Sequence, residues 1–316
     1  MSSYVLALDL GGTNSEIGLV DRQGHIFNRM SLSTADYRTV DTYIDAFYKS
    51  AVHLTEPYGG LRSVKAIGAG VPNGNIYTGN IEHAMNLPWH EQIPFAELVA
   101  GRFQIPCKIT NDANAAALGE MEFGAARGMK NFIELTLGTG LGSGIVINGQ
   151  VVYGHDGLAG ELGHVCANAA SNARRCNCGK RGCLETYVSA TGVVRTAKEI
   201  LTKTNKPSLL RTIDHLTSYD VYSAAEQGDE VAKEIWLYTG RLLGRKIADF
   251  VSFSSPEAVV LFGGLTNAGK WLLEPTEESL NKNLLPIWRR KIKVTVSGLD
   301  GADAAILGAA ALAWQI

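Results

Sequence analysis

The chain has 316 residues, 46% of them hydrophobic and 19% charged, which supplies ample core material and fits about two domains of ordinary size. Lys and Arg number 29 against 31 Asp and Glu, a net charge of -2. Without a basic surplus the chain is expected to bind neither nucleic acid nor anionic lipid, and no apolar stretch of about 18 residues marks a membrane span.

The amino terminus, Met1-Ser2-Ser3-Tyr4, runs into a strand almost at once, with no basic segment and no long apolar signal core. Tyr4 to Leu10 is that strand, broken by Gly11-Gly12-Thr13-Asn14. Ile17 to Val20 is a second strand, Asp21-Arg22-Gln23-Gly24 a turn, and His25 to Leu32 a third strand. Val40, Ile44, Phe47, Tyr48, Ala51 and Val52 recur at helical spacing. Val64 to Ala69 reads as a buried strand ending at Gly70, Phe95 to Phe103 as a helix, and Cys107 to Ile109 as a short strand. Asn111-Asp112 then opens an Ala-rich helix over Ala113 to Met121.

The opening pattern returns in the second half. Phe132 to Leu137 is a strand, Gly138-Thr139-Gly140 breaks it, and Ser143 to Ile147 is the next strand. Asn148-Gly149 signals a hairpin that Gln150 to Tyr153 answers. Leu10-Gly11 aligns on Leu137-Gly138, Val20 on Ile147 and Asp21 on Asn148, an offset of 127 positions. Ala258 to Phe262 is a buried strand ending in Gly263-Gly264, with helices over Ala190 to Leu201, Glu230 to Phe250, Trp271 to Leu285 and Ala302 to Trp314. Such a repeat is too long for a solenoid. It points to two related α/β domains, each opening with a β-meander that carries a glycine turn, with a ligand expected in the cleft between them. The expected division is a smaller domain of 1–117 plus 302–316 and a larger one of 118–301.

Glycine makes up 35 of 316 residues, about 11% against a usual ~7%, and it clusters, which marks close backbone approach to a ligand. Asp9-Leu10-Gly11-Gly12-Thr13-Asn14 and Leu137-Gly138-Thr139-Gly140-Leu141-Gly142-Ser143-Gly144 are two such loops at matched places. Either alone is compatible with an ordinary tight turn; two together favour nucleotide phosphate. Neither is followed by Gly-Lys-[Ser/Thr], and neither opens directly into a helix, so Walker and Rossmann loops are excluded. Thr13 and Asn14 can donate to phosphate oxygens, whereas Asp9 would repel them unless a cation intervenes, which points to Mg²⁺ held partly through water. Gly263-Gly264 is expected beside the adenosine.

The five cysteines fit a reducing cytoplasm, the expected location, better than a secreted disulfide framework. His164 with Cys176, Cys178 and Cys183 makes a Cys₃His set for structural zinc, with disulfide pairing and free thiols as the alternatives. Cys166 is expected to stay out of the set, and Cys107 to be a small buried apolar residue. Asp112, at a strand-to-helix junction, is the candidate base, against the alternative of a helix cap. Asn86, Asn111, Glu161, His164 and Glu185 supply the amides and carboxylates that polyol recognition needs, because each sugar hydroxyl is donor and acceptor together.

These residues resemble the ROK family of sugar kinases, and within it the bacterial glucokinase-like members. The most specific piece is Gly160-Glu161-Leu162-Gly163-His164 through Cys176-x-Cys178-Gly179-x-x-Gly182-Cys183-x-Glu185. The resemblance implies a duplicated actin-like ATPase (ribonuclease H-like) fold with two domains around a central cleft, a structural zinc loop and a homodimer. It also implies phosphorylation of a hexose, glucose first, at its 6-hydroxyl by Mg-ATP. Asp112 would then be the base; Asn86, Asn111, Glu161, His164 and Glu185 would hold the sugar, with one ring nitrogen of His164 on zinc and the other on sugar. The chain departs from the family after Pro72, where Asn73 stands in place of a frequent glycine. N-acetylmannosamine, mannose, fructose and allose are rival substrates. From other classes come a sugar-responsive regulator, whose helix-turn-helix has no room before Tyr4, and a sugar-binding protein without turnover.

Overall fold

The structure, a computed structural model, describes residues 3–316. Met1 and Ser2, which begin the run into the first strand, lie outside the described residues. Contacts divide the chain into two compact units. The first comprises residues up to Met129 with Gly144–Gly160 and Ser297–Ile316; the second comprises Lys130–Ser143 and Glu161–Val296.

The first sheet contains β1 (Tyr4–Leu10), β2 (Asn14–Val20), β3 (Ile26–Ser33), β4 (Val64–Val71) and β5 (Cys107–Asn111), in the order β3-β2-β1-β4-β5. The meander pairs antiparallel and β4 and β5 join in parallel. Alternation along β1 sorts its side chains. Leu6, Leu8 and Leu10 pack in one cluster with α1 (Val40–Thr55) and α2 (Phe95–Phe103), while Val5 and Ala7 pack on the opposite face with α8 (Gly301–Ala313). Asp9 shares the second face by parity, which turns a carboxylate toward the layer that also holds α3 (Asp112–Glu122). That helix, which the expected domain division cuts after residue 117, runs on to Glu122.

The second sheet contains β6 (Phe132–Leu137), β7 (Leu141–Ile147), β8 (Gln150–Val151), β9 (Ala258–Phe262) and β10 (Lys293–Val296), in the order β10-β9-β6-β7-β8. Read from its other end this repeats the first sheet strand for strand, and β1 and β6 both end where the offset of the two sequence halves requires. The Asn148-Gly149 turn has φ of 54° and 75°, the left-handed pair a tight hairpin demands, although β8 stops at Val151 rather than Tyr153. Around this sheet lie α4 (Ala190–Lys203), α5 (Ser218–Glu226), α6 (Glu230–Ser254) and α7 (Lys270–Asn283). Ile133, Leu135 and Leu137 share one core with Trp236, Leu243, Ile247 and Leu261. No helix among the described residues is long and apolar enough to cross a membrane.

Candidate active site

In the first unit the site grows from the ends of three strands. Asp9 on β1 is paired with Glu16 on β2 and with Gly70 on β4. A Cβ at Gly70 would lie 3.2 Å from Ala115 Cβ, 3.8 Å from Asp112 Cα and 4.0 Å from Asp9 Oδ1, so the missing side chain lets the start of α3 pack close to β4 with Asp112 near Asp9. Asp112 begins α3. Asn111 is the N-cap: the N–H of Ala113 donates to Asn111 Oδ1 at 2.9 Å and to Asp112 Oδ1 at 2.8 Å. Capping is therefore shared, and Asp112 keeps a side chain open to solvent.

Both acids hold their protons more tightly than usual. Although the residue reaches solvent, the protein atoms gathered around the Asp112 carboxylate partly desolvate it and raise its pKa, offset in part by backbone N–H groups of Ala113 and its own residue. Asp9 is raised from 3.8 to about 6, first by burial and then by the negative charges of Asp112 and Glu16. A cluster of carboxylates that repel one another is where a divalent cation is most welcome.

The first glycine turn is closed by the Gly11 N–H donating to Asn14 O at 3.0 Å, while Thr13 O accepts from the N–H groups of Thr34 and Ala35. The side chains of Thr13 and Asn14 are exposed and free to meet a ligand. Gly12 lies against the backbone carbonyl of Asn86, in the space its Cβ would need, which fixes the Asn86 segment beside the turn. Asn73 takes the left-handed φ of 50° that glycine would accept, and its Nδ2 donates to Glu82 O at 2.9 Å and His83 O at 3.4 Å. Its added side chain is thus engaged with the segment leading to Asn86.

In the second unit, the Gly138 N–H donates to Gly140 O at 3.1 Å and closes the matching turn. The start of α4 docks on its carbonyls: the Ala190 N–H donates to Gly138 O at 2.8 Å and the Thr191 hydroxyl to Thr139 O at 2.9 Å. Gly263, with φ of 98°, passes so close to β6 that a Cβ would lie 2.6 Å from Leu137 O. A cavity of about 320 Å³ adjoins both glycine segments, lined by Gly138, Thr139, Gly264 and Asn267 and by the rings of Tyr219, Tyr222 and Trp236. Trp236 is buried with its indole N–H unpartnered among the described residues. Tyr219 and Tyr222 stand with their ring planes 54° apart, and aromatic surface of this kind beside a glycine turn suits a purine base. Both tyrosines stand on α5, a helix absent from the sequence-based reading; the capping box Thr217-x-x-Asp220 that starts it was the available signal.

His164, Cys176, Cys178 and Cys183 come together with their ligand atoms all within 4.8 Å of one another. The Cys178 and Cys183 sulfurs are 3.6 Å apart, as are Cys176 Sγ and His164 Nδ1. Those spacings match the edges of a zinc tetrahedron, about 3.5–3.8 Å for ordinary Zn–N and Zn–S bonds, and exceed the ~2.05 Å of a disulfide. Left-handed Gly179 and Gly182, with φ of 89° and 76°, turn the loop. Cys166 is exposed and outside the cluster. Cys107 is half-buried, and its surroundings push its thiol up to about 12, which leaves it inert. With Nδ1 on the metal side, His164 Nε2 lies 3.7 Å from Glu161 Oε2. Four protein ligands would leave no open position, so a zinc ion held by this set would be scaffolding.

Residues 5–316 match the family described as the ROK family. The chain belongs to the ROK family. A glucokinase of Halalkalibacterium halodurans is 35% identical over 313 residues, covering 96% of this chain and 93% of that protein. A ROK family glucokinase from Streptomyces griseus, solved in complex with glucose and AMPPNP, superposes with a TM-score of 0.79 at 33% identity, covering 99% and 100% of the two chains. The regulator NagC of Escherichia coli is 28% identical over 310 residues, covering 98% of this chain and 75% of its own. The two mixed sheets with their helices are thus the actin-like ATPase fold of ROK sugar kinases. Within this ROK chain, the first unit holds Asp9, Gly11, Gly12, Thr13, Asn14, Asn86, Asn111 and Asp112; the second holds Gly138, Thr139, Gly140, Glu161, His164, Glu185, Gly263, Gly264 and the three cysteines.

The glycines divide in a way their spacing did not reveal. Places where a Cβ would stand at Gly11, Gly12, Gly140 and Gly263 are occupied by the protein itself, through Asn14 O, Asn86 O, Glu185 Oε2 and Leu137 O. Gly138 and Gly264 have nothing within 4 Å among the described residues, and both line the aromatic cavity.

Proposed function

We propose that the chain transfers the γ-phosphoryl group of ATP to the 6-hydroxyl of a hexose, with glucose as the preferred sugar and Asp112 as general base. The observation that carries this reading is the Asp9–Asp112 pair beside the first glycine turn: two acids at strand ends, brought near each other across Gly70 and raised in proton affinity. A carboxylate with raised proton affinity is the better acceptor for a hydroxyl proton. Asn86, Asn111, Glu161, His164 and Glu185 hold the sugar hydroxyls, and the exposed Thr13 and Asn14 donate to phosphate oxygens. Gly138 and Gly264 allow the nucleotide to approach the backbone beside the aromatic slot. Mg²⁺ fits Asp9, whose repulsion by Asp112 and Glu16 it relieves, and when bound it supplies neutralising charge to the phosphates. The names of the glucokinase relatives support the choice of sugar. The protein is further proposed to be a homodimer, which light scattering on the purified chain tests.

The likeness to NagC favours one second reading, a sugar-responsive regulatory core. ADP release measured over glucose, mannose, fructose, allose and N-acetylmannosamine separates the two. Turnover is expected, fastest with glucose; sugar binding without ADP release from any of the five supports the regulator and sinks the kinase.

A further inference from the structure

Glu185 joins two parts of the second unit that stand far apart in sequence. It lies two residues beyond Cys183, in the 3₁₀ turn Leu184–Thr186. Its Oε2 accepts a hydrogen bond from the Leu141 N–H at 3.1 Å, at the foot of the second glycine turn. Its Oε1 lies 3.4 Å from Cys176 Sγ, on the side of the metal-ligand cluster. The same Oε2 fills the space that a Cβ on Gly140 would need, and the carboxyl carbon is only 3.3 Å from that point. Gly140 has no left-handed φ, so its backbone conformation does not demand glycine. A side chain there would instead displace the neighbouring carboxylate.

We infer that Gly140 is kept free of a side chain by Glu185 rather than by a phosphate, and that the Leu141 N–H bond couples sugar affinity to nucleotide affinity. Glu185 is in this respect a positioning residue for the nucleotide loop. The inference rests on the proposal that Glu185 holds sugar. A carboxylate offers about four lone-pair sites. The Leu141 N–H takes one on Oε2 and Cys176 Sγ approaches Oε1, which leaves the others able to accept from sugar hydroxyls. A sugar that fixes the Glu185 rotamer therefore also fixes the Leu141 backbone, and a nucleotide that orders the loop orders Glu185 in return. Coupling of this kind is reciprocal and spans about 5–150-fold in affinity.

Isothermal titration on the full chain with glucose and AMPPNP as probes tests this. In the wild-type protein, saturating glucose is expected to tighten AMPPNP binding about fivefold or more, and a ratio of one overturns the coupling. In Gly140→Ala, the added methyl displaces the carboxylate, and glucose affinity measured without nucleotide is expected to fall about tenfold or more. A variant that binds glucose as the wild type does, while losing AMPPNP affinity alone, makes Gly140 an ordinary phosphate glycine and refutes the inference. Zinc content and the melting transition of the variant report whether its fold is intact; if it is not, the wild-type coupling ratio decides alone. Wild-type protein that binds no glucose defeats the sugar-binding proposal itself, a different result from either of these.

Discussion

Asp9→Asn tests the electrostatics of the site directly. In the folded protein the Asp9 pKa is raised from 3.8 to about 6 by burial and by Asp112 and Glu16. The native state therefore holds this proton more tightly than the unfolded chain does. Its favourable contribution is fully present below about pH 4 and is lost as pH rises through about 6, leaving the ionised form a net cost at neutral pH. Each pKa unit corresponds to about 1.4 kcal/mol. The whole shift is then about 3 kcal/mol, and solvent reaching the half-buried carboxylate reduces it to about 1–3 kcal/mol. Asn carries no such cost. Urea unfolding of wild type and variant, run from about pH 4 to 8 without Mg²⁺ or nucleotide, should show the variant gaining stability relative to wild type between about pH 4 and 6 and levelling off above that. The same substitution should cripple Mg-ATP turnover, so that stability and activity move in opposite directions. A stability difference that stays flat with pH refutes the proposed repulsion, whatever the activity does.

Asp112→Asn should leave glucose binding by calorimetry nearly intact while kcat falls about 10²–10⁴-fold; a variant keeping a tenth of wild-type kcat excludes Asp112 as the base. Zinc should be present in purified protein by elemental analysis, and Cys178→Ser or prolonged chelation should lower both metal content and the melting temperature; unchanged melting after metal loss contradicts a scaffolding role. Tyr219→Ala should raise the KM for ATP about fivefold, the loss of one stacked ring, without moving the KM for glucose; equal effects on both would remove Tyr219 from the nucleotide site. Gly138→Ala and Gly264→Ala should keep wild-type melting temperatures but weaken AMPPNP binding, whereas Gly12→Ala and Gly263→Ala should destabilise the fold itself.

Much of the architecture was legible because the repeat is written into local chemistry. The strands ending at Leu10 and Leu137, the hairpin at Asn148-Gly149 and the capped helix after Asn111 each announce themselves by periodicity and turn residues. The Cys₃His cluster was legible for the same reason, since three thiols close together on a glycine-turned loop leave few other arrangements. The omitted elements lack such signals. Lys293–Val296 is a short strand with no buried residue, made by its pairing with β9. The helix Ser218–Glu226 buries only Val221, Ala224 and Ala225, a stripe too weakly apolar to stand out, and only its capping box identifies it. With it went Tyr219 and Tyr222, and so the aromatic slot.

The glycine surplus shows why composition locates a site more readily than it assigns the roles within it. From spacing alone, every glycine of the two turns reads as room for a ligand. A glycine is equally demanded where one part of the chain lies against another, as Gly12 lies on the Asn86 carbonyl and Gly263 on that of Leu137. Both demands fall at strand ends, because that is where turns and ligands meet, and only the three-dimensional neighbours separate them. Gly138 and Gly264 carry no left-handed φ and nothing within 4 Å among the described residues. Neither strain nor packing demands glycine there, so both backbones lie open at the wall of a cavity lined by three aromatic residues, as the nucleotide proposal requires. The alanine substitutions at these four glycines therefore probe more than affinity. If Gly138→Ala and Gly264→Ala leave AMPPNP binding untouched, the nucleotide does not lie against this wall, and the adenosine assignment falls even if the chain phosphorylates glucose.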